Sequence, residues 1–181
     1  MRIIMKKLIV AAGLPGVGKS HICRTLKKAI RGALYFDSDL FAKNYAAKRK
    51  INFIALPKKQ QEKQRLIVHK AKLEKIREYF KKYKVILLDT CFDLPKSRAL
   101  FYKFARKERL NLVIVEVICP ENVVKRRILR NRHETERMVG SKQDRWKFYH
   151  LAKSKWLPIG KRHIVVDSSK DIKSQLNSIL K

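Results

Sequence analysis

Short apolar runs alternate along the chain with longer stretches in which apolar residues recur every three or four positions. The runs at residues 8–12, 33–36, 85–88, 112–118 and 164–166 are too short for ordinary helices, and their spacing predicts five strands. Between them the period changes. Residues 19–30 place Ile22, Leu26 and Ile30 on one face of a helix, which Gly32 stops. Between the second and third runs, Leu66, Leu73, Ile76, Phe80 and Tyr83 follow spacings of 7, 3, 4 and 3, a core-facing helical stripe. His69 falls on that stripe, which reads as packing or a buried hydrogen bond. A helix over 121–132 starts after Pro120, with Glu121 in its first turn as the helix dipole favours. In it Val124 and Ile128 mark the buried side, and Arg126 and Arg130 point roughly the other way. The polar segment 131–142, containing Gly140, reads as a mobile lid, and residues 171–180 form a closing helix. Strands alternating with helices predict one α/β domain over residues 1–181, with a five-stranded parallel sheet between two helical layers.

The junction between the first strand and the first helix carries the most specific signal. Gly13-Leu14-Pro15-Gly16-Val17-Gly18-Lys19-Ser20 fits the phosphate-binding pattern G-x-x-x-x-G-K-[ST], and a strand before with a helix after is the context that pattern needs. Backbone N–H groups of such a loop surround the phosphates of a nucleotide, and His21 follows directly as a further candidate contact. Lys19 would reach the β- and γ-phosphates, and the Ser20 hydroxyl would ligate Mg²⁺.

Charge adds a question about partners. Lys and Arg total 45 against 15 Asp and Glu, a net charge of +30 that attracts polyanions and makes nucleic acid a candidate partner. Between residues 58 and 84 there are eleven Lys and Arg against three Glu, which reads either as a solvated face or as a track for a phosphate backbone. Aromatic residues interleaved with basic ones in Arg145-Trp146-Lys147-Phe148-Tyr149-His150 and Lys155-Trp156 offer base stacking or a helix packed on the core, with equal weight. Cys23, Cys91 and Cys119 are odd in number and lack C-x-x-C spacing, so neither a disulfide framework nor a zinc site follows, and a reducing cytoplasm fits. The basic start and the apolar run 8–12 superficially resemble a signal peptide, but the run leads straight into the phosphate loop and is read as a strand. No stretch approaches the roughly 18 apolar residues of a membrane helix.

In an open parallel sheet, ligands bind beyond the carboxyl ends of the strands, where this sequence repeatedly places acids. Asp37-Ser38-Asp39 follows the second strand, Asp89-Thr90 the third, and Asp167-Ser168-Ser169 the fifth. Phosphoryl transfer requires a phosphate cradle, a divalent cation, cations for the transferred group and a carboxylate to orient or deprotonate the attacking hydroxyl. Lys19 and Ser20 serve the first two needs, with Asp89 holding Mg²⁺ directly or through water. Asp39 is the favoured base, and Asp37 reads as a helix cap. Arg126 and Arg130 are the candidates to close over the phosphate, since the guanidinium fork suits phosphate oxygens. Arg127, Arg132 and Arg137 rank below them.

With these parts assembled, the sequence resembles the small P-loop kinases that include adenylylsulfate kinase, gluconokinase, zeta toxin and polynucleotide 5′-kinase. Asp37-Ser38-Asp39 is similar to the D-G-D signature of the first two. Asp89-Thr90 with Pro95 and Arg98 resembles the D-T-N-L-x-P-x-x-R of bacteriophage-type polynucleotide kinase, and Val124-Lys125-Arg126-Arg127-Ile128-Leu129-Arg130 resembles its V-K-R-x-x-x-R lid helix. The resemblance implies ATP as donor, Arg126 and Arg130 facing the nucleotide, and Asp39 activating a 5′-hydroxyl. The sequence departs from the pattern at Ala42, where the family has an Arg, and at Cys91, where it has an Asn; the step from Asp89 to Pro95 is one residue longer. The expectation is therefore an ATP-dependent kinase with a nucleic-acid 5′-hydroxyl as favoured acceptor. The alternatives are a kinase of a small metabolite or nucleoside, and a nucleotide-dependent RNA-binding switch with no separate acceptor. The 167–169 loop is a candidate wall of the adenine pocket.

Overall fold

The computed structural model describes residues 5–53, 55–130 and 142–180. The elements run β1 (Lys7–Ala12), α1 (Lys19–Ala29), β2 (Leu34–Phe36), α2 (Ser38–Lys48), α3 (Lys58–Tyr79), β3 (Val85–Thr90), α4 (Pro95–Lys107), β4 (Asn111–Ile118), α5 (Glu121–Arg130), α6 (Lys142–Ser154), β5 (Ile164–Asp167) and α7 (Ile172–Leu180). All five expected strands form, within about two residues of the bounds read from the sequence. The expected lid, 131–142, lies outside the described residues except for Lys142, as do Arg132 and Arg137.

The strands pair in parallel in the order β2-β3-β1-β4-β5. Buried apolar residues make β1 the centre: Leu8 to Ala12 are fully buried, as expected for a strand covered on both faces. Alternation sorts its side chains between two cores. Ile9 and Ala11 meet Ile22, Cys23 and Leu26 of α1, Val124 and Ile128 of α5, Tyr149 of α6 and Leu176 and Ile179 of α7. Leu8, Val10 and Ala12 meet Leu73 and Ile76 of α3 and Phe101 and Phe104 of α4. The protein thus has a three-layer α/β architecture, a five-stranded parallel sheet between two layers of helices.

This topology fixes where a ligand can sit. The chain leaves β1 for β2 on one side, while β4 flanks β1 on the other, so the loop after β1 stands at the topological switch of the sheet. Register then sets Ala11 beside Asp89, at the foot of that loop. Cys23, Cys91 and Cys119 are free thiols. Among the described residues, no helix is long and apolar enough to cross a membrane.

Candidate phosphoryl-transfer site

The phosphate loop is held open by contacts that leave no room for side chains. Gly13 has φ 148°, and a Cβ there would stand 2.5 Å from the Val117 carbonyl oxygen of β4. Its N–H instead donates to the Cys91 carbonyl at 3.3 Å, tying the loop to the turn after β3. Gly18 caps α1 at φ 102°, a left-handed conformation that glycine adopts freely. Gly13 and Val17 are buried; Leu14, Pro15, Gly16, Gly18, Lys19 and Ser20 are half-buried, and His21 is exposed. Lys19 lies within this loop and donates its Nζ to the Leu14 carbonyl at 2.8 Å.

Asp89 is the point on which the site converges. It is only 5% exposed. Its Oδ2 accepts from Ser20 Oγ at 2.5 Å and from the Tyr35 hydroxyl at 2.9 Å, while Oδ1 accepts from the Ser38 N–H at 3.2 Å. Burial and the neighbouring Asp89 charge raise the Tyr35 hydroxyl pKa, so it remains a donor. The hydroxyl and carboxylate of Ser20 and Asp89 are hard oxygen donors of the kind Mg²⁺ takes, usually with one or two carboxylates and waters completing its shell. The expected pair is therefore brought together from positions 69 residues apart.

The two other acids separate by role. Asp37 caps α2, its Oδ1 accepting the N–H groups of Asp39 at 3.1 Å and Leu40 at 2.9 Å. Burial pushes the Asp37 carboxyl above the usual range; the Leu40 hydrogen bond opposes this, and the Asp89 and Asp39 charges add to it. Asp39 stands exposed in the first turn of α2. Its charge reaches Lys72 and Cys91 behind the loop.

The lid-helix arginines do not behave alike. Arg126 and Arg130 are exposed on α5, and their side chains make no hydrogen bond or ion pair among the described residues. Arg127, ranked below them from the sequence, is the one that touches the loop. Its Nη1 donates to Ser168 Oγ at 2.8 Å and to the Val17 carbonyl at 3.2 Å, and its Nη2 donates to the Ser168 carbonyl at 2.8 Å. Ser168 Oγ in turn donates to the Val17 carbonyl. The 167–169 loop is thus latched directly to the phosphate loop. Beside it, a hollow of about 240 Å³ is lined by Gly13, Leu14 and Val17, the end of β4, and Tyr149, Lys153 and Trp156.

Around the inner face of α3, sequence reasoning placed His69 in the packing but missed Arg65, its partner Asp93, and Lys72. Arg65 Nη2 holds both carboxylate oxygens of Asp93, at 2.7 and 2.8 Å. Burial alone would raise Asp93, but the Arg65 charge and hydrogen bonds hold it below the usual carboxylate range. His69 is buried edge-on to Phe101, and burial, with Lys72 and Arg65 adding repulsion, lowers its pKa to about 3. Lys72 is buried and donates to Ser38 Oγ. Its position three residues after His69 and four before Ile76 was the available signal. Arg98, quoted within the D-T motif, is structural: its Nε donates to the Phe92 carbonyl and its Nη1 to the Pro158 carbonyl, both at 2.7 Å. Phe92 itself is buried at φ 57°, so this clamp fixes a strained turn after β3. On α6, Arg145 is buried with all three guanidinium nitrogens unpartnered among the described residues.

Trp146 and Tyr149 of α6, and Trp156 after it, pack rather than project. Trp146 stacks on buried Tyr149 at 5.0 Å, both belong to the first core, and Trp156 packs against the second with Arg98 over its ring.

An AAA domain family matches residues 9–147. No curated protein matches the chain by sequence. Among solved structures, a gluconokinase from Sinorhizobium meliloti is similar with a TM-score of 0.63 and 16% identity, over 99% of this chain and 91% of that one. The APS kinase of Mycobacterium tuberculosis, solved with AMPPNP and APS, gives 0.61 and 14%, over 97% and 96%. A sugar kinase from Janibacter gives 0.61 and 15%, over 97% and 92%. At these identities the likeness is one of fold.

Proposed function

The chain belongs to the AAA domain family, and on that premise we propose that it transfers the γ-phosphoryl group of ATP to a hydroxyl of a small molecule. The observation that carries this reading is the convergence of Ser20, Tyr35 and the Ser38 N–H on buried Asp89. It joins the phosphate loop to the corner from which Asp39 projects. In this reading, loop N–H groups and Lys19 hold the β- and γ-phosphates. Ser20 and Asp89 would hold Mg²⁺, which when bound neutralises charge on the phosphate oxygens. Asp39 accepts the proton of the attacking hydroxyl as that oxygen bonds to the γ-phosphorus and ADP leaves. Arg126 and Arg130, exposed and without described partners, are available to the transferred group once a nucleotide is bound.

Two findings favour a small acceptor over the nucleic-acid 5′-hydroxyl expected from the sequence. The fold neighbours named above include a gluconokinase, an APS kinase and a sugar kinase. Trp146 and Tyr149 of α6, part of the aromatic pattern that with the charge pointed to nucleic acid, are spent on packing. The polynucleotide reading keeps a specific support in the net charge of +30. Incubation with γ-labelled ATP and either a panel of sugars, sugar acids and nucleosides or 5′-hydroxyl oligonucleotides decides between them. Label transfer to a panel compound supports the proposal. Transfer only to oligonucleotides, lost at high salt, replaces it with the second reading, and hydrolysis without transfer to either removes both.

A further inference from the structure

Lys72 is the residue of this corner that the transfer reaction, as described, leaves unused. It is 5% exposed on the inner face of α3. A lysine ammonium has three N–H donors, and the side-chain hydrogen bond it makes among the described residues is to the neutral Ser38 hydroxyl. Burying an ammonium costs several kcal/mol unless other charges compensate it. Burial lowers the Lys72 pKa, and the charges opposing that shift are Asp39 on α2 and Asp89 on β3, with Arg65 on its own helix working the other way; the Cys91 thiol beside it has its own pKa raised by burial and stays neutral. His69, one turn earlier, is held neutral and cannot supply that positive charge.

Geometry links this buried charge to the candidate base. Ser38 is held at two points, its N–H on Asp89 Oδ1 and its Oγ by Lys72 Nζ. Asp39 is the next residue, and its own N–H is fixed by Asp37. The first turn of α2 is thereby pinned to β3 and to α3 at Ser38, the residue directly before the base. An alkyl stem alone would fill the same space, so packing does not account for an ammonium here.

Building on the proposed function, we propose that Lys72 is a positioning residue for phosphoryl transfer: it anchors Ser38 and supplies the buried positive charge against which Asp39 and Asp89 carry theirs. The test has two independent readings. Lysine ¹³Cε/¹⁵Nζ NMR, with the Lys72 signal assigned by its absence in Lys72→Arg, follows its titration in the wild-type chain, Asp39→Asn and Ser38→Ala. The proposal expects a midpoint below that of free lysine, lowered further by about half a pH unit or more in Asp39→Asn. A midpoint unmoved by Asp39→Asn overturns it. In turnover, Lys72→Met is expected to lower kcat on the order of 10- to 100-fold with ATP affinity unchanged, and Lys72→Arg to restore most of it. A folded Lys72→Met chain with wild-type kcat overturns the proposal, as does a loss that Arg does not restore. Where Lys72→Met fails to fold, Ser38→Ala, which keeps the backbone N–H to Asp89, takes its place with a smaller expected loss. A wild-type chain that phosphorylates no hydroxyl would sink the functional reading, while the NMR titration still decides the coupling of Lys72 to Asp39.

Discussion

The two halves of the candidate site are built in opposite ways. The nucleotide side is a continuous segment, residues 13–20, whose glycines let the backbone pass close to β4 and cap α1. The acceptor side has no segment of its own. It is assembled from Tyr35, Ser38 and Asp39 around the start of α2, Arg65 and Lys72 on α3, and Asp89 and Asp93 on and after β3, through contacts spanning 28 to 54 residues. A local loop with a fixed backbone recognises what all nucleotides share. In the proposed reading, a corner assembled from four elements is free to differ with the acceptor, and specificity is expected to lie there.

Substitutions on each side are expected to separate these roles. The largest effect falls on the loop: Lys19→Ala lowers kcat/KM on the order of 10³-fold and weakens ATP binding with it, measured by steady-state transfer and titration calorimetry. A variant with normal affinity and turnover would remove the loop assignment. Next comes the latch. Arg127→Ala loses the hydrogen bonds to Val17 and Ser168 and destabilises the fold by about 2 kcal/mol in urea unfolding. ATP affinity falls severalfold, and kcat at saturation stays within about threefold. Lys at 127 does not restore it, because one ammonium cannot reproduce a two-nitrogen fork. An Arg127→Ala chain that loses kcat at saturation would instead place Arg127 in the chemistry.

The smallest effect is confined to acid and lies on the acceptor side. His69 binds a proton in the unfolded chain below pH 6.5, but in the folded chain only near pH 3. Between these values the unfolded state holds more protons, so stability is lost as pH falls through this window. From pH 6.5 to about 5.5 that loss is about 1 kcal/mol, and His69→Leu removes it. Unfolding curves at the two pH values check this; an equal acid loss in His69→Leu would assign the slope to other groups.

What was legible in the sequence follows the same division. Five strands, the loop, Asp37 as a cap and the Ser20–Asp89 pairing all rest on local period, local motif or the rule that acids end strands. Arg127 ranks below Arg126 and Arg130 in the sequence, where nothing local distinguishes it. Only the approach of Ser168 and Val17, more than 40 residues away on either side, reveals its role. Lys72 was hidden by composition: among eleven basic residues between 58 and 84, only its spacing from His69 and Ile76 marks the buried one. The aromatics of α6 carried equal readings until the stacking of Trp146 on Tyr149 decided for packing.

Whether Asp39 serves the acceptor and not the nucleotide is decided by a single-turnover measurement of phosphoryl transfer by Asp39→Asn at saturating ATP and acceptor. With the nucleotide side fully occupied, the account predicts a transfer rate lower by roughly 10³-fold. A rate equal to that of the wild-type chain would contradict it.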